Sequence, residues 1–262
     1  MPDMLCDLAA IQTLISRGAL FALSHSGGKD SQAMTLQVRQ VVPREQLAIV
    51  HADLGDVHWP GTLEHIQATA GDLPIIVARA QRSFLEMVER RGRFPSPQQR
   101  QCTSDLKRGP IEREIRRYLR ARPEFSGVVV NCMGLRAEES SSRARRQTLR
   151  LISRNSVAGR EWYDWLPIHS MATDEVFSII AKAGQCPHWA YAAGMSRLSC
   201  CFCIMASVSD LTTAARLMPE LYAKYVTLER KLGHTLSMSQ KTLEQLTQVK
   251  VADLLQGTPS AS

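Results

Sequence analysis

The sequence predicts an α/β fold: a doubly wound, mostly parallel five-stranded sheet with a helical C-terminal region. Three observations carry this. Short apolar runs alternate with stretches of helical periodicity through the first two thirds of the chain, the pattern of a parallel sheet covered on both faces. The first such run leads through a glycine turn straight into a helix. From about Ser207 onward the periodicity is helical, with no strand candidate.

The strands are read in order from buried apolar runs: 19–25 (ALFALSH), 47–54 (LAIVHADL), 75–80 (IIVARA), 127–132 (GVVVNC) and, less regular, 162–168. Helical spacing fills the intervals at 31–39, 61–70, 82–90, 108–120 and 174–183. The expected organisation is one α/β domain over 1–206 and a helical region over 207–262, whose last residues, GTPSAS, are expected to fray. Ligands on such sheets bind at the carboxyl ends of the strands, so attention falls on the loops after each run.

Composition narrows the function. The chain has 262 residues, 44% hydrophobic and 22% charged, near globular averages, so fibrous repeats and wholesale disorder are excluded. No stretch approaches 18 uninterrupted apolar residues, which excludes a membrane span. The first residues, MPDMLCDLAA, carry acids where a signal peptide has cations, so a cytoplasmic location is expected. Thirty-two Lys and Arg stand against 25 Asp and Glu, a formal net charge of +7. That surplus suits an anionic partner such as a nucleotide or a nucleic acid. Seven cysteines, an odd number, fit metal, cluster or catalytic roles better than a disulfide scaffold.

The most informative stretch is Ser26-Gly27-Gly28-Lys29-Asp30-Ser31, between the first strand and the first helix. Glycines there let backbone N–H groups close around an anion, and the helix start adds its dipole. Lys29 adds a mobile positive charge; Ser26 and Ser31 add hydroxyl donors. Asp30 stands where a Walker A loop has Ser or Thr, and the glycine spacing is not that of a dinucleotide fingerprint.

This loop resembles the PP-loop of the N-type ATP pyrophosphatases, in particular their phosphoadenosine-phosphosulfate (PAPS) reductase-like branch. Further segments resemble that branch in order. They are His51-Ala52-Asp53-Leu54-Gly55 with Trp59-Pro60-Gly61-Thr62, and Cys102-Thr103-x-x-Leu106-Lys107-x-x-Pro110. Gly134-x-Arg136-x-Glu138-Glu139-Ser140-x-x-Arg143, Trp165-x-Pro167-Ile168 and Arg197-x-x-Cys200-x-x-Cys203 follow. The resemblance implies an adenine nucleotide alpha-hydrolase-like, Rossmann-like fold. It implies ATP held by Ser26, Gly27, Gly28, Lys29, Asp30 and Ser31 as a Mg²⁺ complex, and cleavage to AMP and pyrophosphate, with Lys29, Asp30 and Arg136 in the catalytic roles. Gly134, Arg136, Ser140 and Arg143 would complete the nucleotide site. For both arginines a surface ion pair with Glu138 or Glu139 stays open. Asp53 is open between Mg²⁺, the ribose and a solvated loop.

Cys102, Cys200 and Cys203 are the expected metal ligands. Relatives in the superfamily bind a [4Fe-4S] cluster, which implies one here; Zn²⁺ and plain reduced thiols are the alternatives. Cys201, Cys132 or Cys186 could supply a fourth ligand, or an open iron could bind sulfide. Cys6 is expected to be incidental. His25 reads as a strand-end histidine with a satisfied ring, and Trp59, Phe94, Trp162, Trp165 and Trp189 as core or loop covers.

PAPS and adenylyl-sulfate reductases attack with a cysteine in a C-terminal Glu-Cys-Gly-x-His segment, whereas this chain has Glu229-Arg230-Lys231-Leu232-Gly233-His234. A reductase-type oxidoreductase is therefore the second reading, and a non-catalytic nucleotide-binding partner of a larger assembly the third. Arg93-Phe94-Pro95, the Cys-Thr segment and the Asp-Leu-Gly element resemble more closely the ATP pyrophosphatase/sulfurtransferase subgroup of DNA phosphorothioation systems. That resemblance implies an adenylylated acceptor, sulfur transfer to nucleic acid, and a sulfur donor protein such as a cysteine desulfurase. A homodimer through the helical region is expected.

Overall fold

The fold is that of a computed structural model, which describes residues 2–256, with side chains from 8 to 254. The Cys6 side chain and the 257–262 tail lie outside the described residues. Six strands form one sheet: β1 (Leu20–Ser24), β2 (Leu47–Asp53), β3 (Ile75–Arg79), β4 (Val128–Met133), β5 (Leu149–Leu151) and β6 (Glu161–Trp165), in the order β3-β2-β1-β4-β6-β5. β1 lies parallel between β2 and β4, and β6 runs parallel to β4. The five expected strands are all there. The sixth, β5, pairs antiparallel with β6 at the edge of the sheet. Its three residues, Leu-Arg-Leu, are too few to give an alternation signal.

Among the described residues eight helices reach eight residues or more. They are α1 (Pro2–Ser16), α2 (Lys29–Val38), α3 (Thr62–Ala70), α4 (Phe84–Arg91), α5 (Gly109–Arg120), α6 (Thr173–Lys182), α7 (Val208–Leu217) and α8 (Pro219–Leu232). None is long and apolar enough to cross a membrane. Successive strand residues point to opposite faces, and the packing follows. Phe21 and Leu23 of β1 pack with Ile11, Met34, Val38, Ile66, Val176 and Ile180, from α1, α2, α3 and α6. Leu20 and Ala22 face the other way, onto Ile115 and Leu119 of α5 and onto Trp162. Helices on both faces make the sheet doubly wound.

The chain forms two compact units. The first comprises Met1–Ala52, Gly61–Ala78 and Ile111–His188; the second comprises Asp53–Pro60, Arg79–Pro110 and Trp189–Ser262. The 206/207 boundary expected from sequence falls inside the second unit, because two earlier excursions of the chain join the C-terminal helices there. That unit has its own core, in which Tyr225 is surrounded by Phe84, Phe94 and Phe202 at ring distances of 5.8, 6.2 and 5.0 Å.

In the first unit, buried histidines stand behind the sheet ends. His25, His51 and His188 are all but inaccessible. Burial, reinforced by His51 and His65, lowers His25 to about 3, and burial with His65 lowers His188 to about 4. Both are neutral when folded, whereas an unfolded histidine takes up a proton near pH 6.5. The unfolded chain therefore binds more protons below that pH, and stability falls as pH falls. Each histidine should contribute a loss of about 1.4 kcal/mol per pH unit in the window from pH 6.5 down to its folded value. Urea midpoints measured across that window should drop for the wild type and flatten in His188→Asn; an identical slope in the variant would refute the assignment.

Candidate functional site

Two groups of residues stand out, one in each unit. In the first unit the loop 25–28 joins β1 to α2. Gly27 has φ = +82°, a conformation that costs glycine little. The loop is shaped from within: the Gly27 N–H donates to His25 Nδ1 at 3.1 Å, and the Ser26 N–H donates to Ser31 Oγ at 3.2 Å. Ser31 Oγ donates in turn to the Gly28 carbonyl at 2.8 Å. His25 is thus a structural acceptor, as expected of a strand-end histidine with a satisfied ring. Gly28 caps α2 without any side-chain hydrogen bond, so the first-turn amides are not closed off by a capping side chain.

Lys29 and Arg136 are both buried, and both are held by Asp30. Lys29 Nζ lies 3.0 Å from Asp30 Oδ2 and Arg136 Nε 2.6 Å from Asp30 Oδ1. Arg136 also donates to the Met171 carbonyl at 3.2 Å and to Thr173 Oγ1 at 3.1 Å, and pairs with Glu138 at 2.5 Å. Arg136 thus makes its ion pairs with Asp30 and Glu138 while buried, not at the surface. Arg143 pairs with Glu139, and Ser140 Oγ accepts the Arg143 N–H at 3.3 Å, so both shape the short helical turn after β4.

Gly134, just past β4, explains itself by distance. A Cβ there would stand 2.7 Å from the Asp30 carbonyl oxygen and 3.0 Å from the Ser31 nitrogen. Only glycine lets the end of β4 lie against the start of α2. Gly134→Ala should destabilise the chain by about 1–3 kcal/mol, because backbone must move to admit the methyl group. Chemical denaturation checks the effect.

Asp53 belongs to the second unit. Its Oδ1 accepts the Gly55 N–H at 2.9 Å and its Oδ2 pairs with Arg79 at 2.8 Å. Partial burial would raise its pKa, but the Arg79 and Gly55 hydrogen bonds outweigh it and hold the carboxylate below the usual range. With Gly55, Arg79, Arg82, Phe84 and Leu106 it lines a cavity of ≈ 220 Å³. The sequence alone does not single out Arg79 as its partner, since a strand-ending arginine carries no motif.

The thiols lie in the same unit. Cys102, Cys200 and Cys203 are partly buried and share one electrostatic neighbourhood with Lys107. Local geometry accounts for Lys107. Five residues on an α-helix at about 100° each would leave Cys102 and Lys107 about 140° apart. The chain instead makes a π-type turn over Ser104–Arg108, closed by the Gly109 N–H on the Ser104 carbonyl. Pro110 follows, and its ring would crowd the carbonyl four residues back in a regular helix. Widening the turn relieves that crowding and swings Lys107 toward the cysteines. Asp210, 1% exposed, ties the stretch before Cys200 to α7 by accepting from the Ser196 N–H at 2.8 Å and its hydroxyl at 2.7 Å.

Cys201 differs from its neighbours. It is fully buried in the apolar core of this unit, its N–H is bonded to the Val57 carbonyl at 2.9 Å, and burial pushes its thiol up to about 12. Cys132 is buried in the sheet of the first unit, and Cys186 is exposed there. Among the described residues no three His, Cys, Asp or Glu side chains already stand at metal-ligand spacing. The donor set nevertheless fits a thiolate-bound group. The Tyr225 hydroxyl, fully buried and without a hydrogen-bond partner, lies in the field of Cys200, Cys201, Cys203 and Cys102, and a sulfur-rich group there would accept a hydrogen bond from it.

Burial raises the Cys102 and Cys200 thiols, and Lys107 is the main opposing influence. Lys107→Met should therefore push both higher. Their alkylation by iodoacetamide at pH 9 should slow roughly three- to tenfold. Unchanged rates, read by mass spectrometry, would show that the lysine does not face the thiols.

A glycine turn at the carboxyl end of a central parallel strand, with an open helix start and buried cations, defines a nucleotide-binding α/β protein of the PP-loop kind. The chain belongs to the PAPS reductase family, whose phosphoadenosine phosphosulfate reductase domain matches residues 21–206. An uncharacterized protein of Methanocaldococcus jannaschii is 26% identical over 213 residues, 80% of this chain and 48% of that protein. An uncharacterized 37.8 kDa protein from the gpa 5′ region of Escherichia phage 186 is 30% identical over 147 residues, 56% of this chain and 42% of that protein. The chain thus spans less than half the length of these curated relatives. Similar solved structures include the phosphate complex of PAPS reductase from Candida auris (11% identity, TM-score 0.44, 69% of this chain and 80% of that one). Another is FMN adenylyltransferase from Candida glabrata with FMN and an ATP analogue (14%, 0.45, 69% and 53%).

Proposed function

We propose that this chain binds ATP at the 26–31 loop and cleaves it between the α- and β-phosphates, releasing pyrophosphate and leaving an adenylylated acceptor for sulfur transfer. The observation that carries the reading is the pairing of an uncapped α2 start with two buried cations, Lys29 and Arg136, on a single carboxylate. Amides of the loop and first turn would take phosphate oxygens. Lys29 and Arg136, preorganised by Asp30, would meet the charge that grows on the departing pyrophosphate and the α-phosphate. Asp30 then acts as a positioning residue, while Ser26 and Ser31 keep the loop open and Gly134 keeps β4 against it. Ser140 and Arg143 hold the turn that carries Arg136.

Mg²⁺ would neutralise phosphate charge during the displacement. Both oxygens of Asp30 and of Asp53 are already engaged, so the ion would arrive on the triphosphate itself. Cys102, Cys200 and Cys203 would hold a [4Fe-4S] cluster, or alternatively Zn²⁺, and such a cluster supplies a site for sulfide chemistry. Tyr225 would donate a hydrogen bond to that group, and Lys107 would offset its negative charge. Cys201, in the apolar core, is then a packing residue rather than the fourth ligand. The acceptor best matched to a basic chain is a nucleic acid, as in the phosphorothioation subgroup that the motifs resemble, with a cysteine desulfurase as sulfur donor.

Incubation with ATP and Mg²⁺ and no acceptor should release pyrophosphate with an equal amount of AMP, water taking the adenylyl group, and Lys29→Gln or Arg136→Gln should lower kcat/KM roughly a hundredfold. Release of ADP and phosphate instead would refute the proposed bond cleavage.

A further inference from the structure

The arginines of the first unit are arranged, not scattered. On α5, Arg113, Arg116, Arg117 and Arg120 recur at i, i+3, i+4 and i+7, one stripe of a helix. The opposite stripe, Ile115 and Leu119, is buried against the sheet. Further along, residues 141–160 contain six arginines and no Asp or Glu. One ion pair ties that segment to α5: Arg154 pairs with Glu112. The Arg160 guanidinium, its pKa lowered first by burial, also lies in the repulsive field of Arg116 and Arg120. The segment is fixed in place: Arg160 Nε donates to the Asn155 carbonyl at 2.8 Å, Val157 bridges Arg160, and the Glu161 N–H reaches the Gly127 carbonyl at 3.0 Å. Arg150 of β5 stands opposite Asp164 in register, next to Trp162 on the α5 side of the sheet.

The face is under-neutralised. Two carboxylates, Glu112 and Glu114, serve Arg113, Arg116, Arg117 and Arg154. Among the described residues Arg120, Arg145, Arg146, Arg150 and Arg160 have no carboxylate within 4.0 Å. From residue 111 to residue 160 there is no lysine. Arginine presents a planar fork suited to paired phosphate oxygens, and like charges held this close repel unless a polyanion lies across them.

We propose that the arginine stripe of α5 and the 143–160 segment form one docking surface for the phosphodiester backbone of a nucleic acid. This deepens the proposed function, resting on it only for the acceptor's role in the reaction. A backbone surface supplies affinity and orientation without reading bases.

Fluorescence anisotropy with labelled DNA and RNA duplexes about 30 base pairs long tests it, without ATP, over a range of salt. Arg120→Gln with Arg150→Gln removes two exposed charges from the face; Arg216→Gln with Lys224→Gln removes two exposed charges from the second unit. The first pair should weaken binding roughly tenfold and make the log K–log salt slope shallower by about 2, and the second should change neither. The stronger of the two duplexes identifies the source of the backbone. Binding of neither duplex, equal loss in both double variants, or loss confined to phosphatidylserine vesicles would overturn the proposal. Should the variant fail to fold, hydrogen exchange of the wild-type chain tests the surface directly: added duplex should protect 145–160, and unchanged exchange there would overturn the proposal. Pyrophosphate release, measured separately, should be normal in the Arg120/Arg150 variant, so failure of the ATP reading and failure of this surface are told apart.

Discussion

The close approach of β4 to the start of α2 is the constraint on which the proposed nucleotide site depends. With Gly134 against the Asp30 and Ser31 backbone, the side chain two residues further on, Arg136, comes within 2.6 Å of the Asp30 carboxylate. That contact fixes the direction of Asp30, which in turn holds Lys29. The hydrogen bonds from the loop to His25 and Ser31 then set the path of the glycines. A sheet of short apolar strands provides the rigid floor, but the spacing of two backbones decides where the charges stand.

The second unit solves a different problem. Cys102 and Cys200 are costly to ionise, since burial favours their neutral form. A lysine moved into place by a widened turn offsets that cost, and Asp210 pins the loop that brings Cys200 and Cys203 together. Burying the Tyr225 hydroxyl among three phenylalanines without a partner is unfavourable on its own.

Much of this is legible in the sequence. β1, β2 and β4 announce themselves because both their faces are buried, leaving continuous apolar runs, and the Ser26–Ser31 loop stands between strand and helix where anion chemistry requires it. β5 is not legible, because a three-residue edge strand with an exposed Arg150 and Leu151 has no periodicity to detect. The second unit escapes a linear reading because it is assembled from three separated pieces of chain, and composition does not register which pieces meet. Lys107 shows in the sequence only as part of a motif: helical spacing puts it on the wrong side of Cys102, and the turn that corrects this depends on the following proline. The adjacency of Cys201 to a ligand pair makes it an attractive ligand by number, while its burial is a property of the packed core alone.

In the first unit, Asp30 occupies both cations with a carboxylate of its own, so the resting site already contains a stand-in for its ligand. An anion at this loop would not meet bare charge; it would share the two cations with the Asp30 carboxylate that positions them. Weak, singly charged ions such as chloride or acetate gain nothing from that sharing. A polyphosphate, with several oxygens for the loop amides as well as the two cations, does. On the proposed reading, Asp30 would set the threshold for entry, and it would favour anions by multivalency rather than by shape.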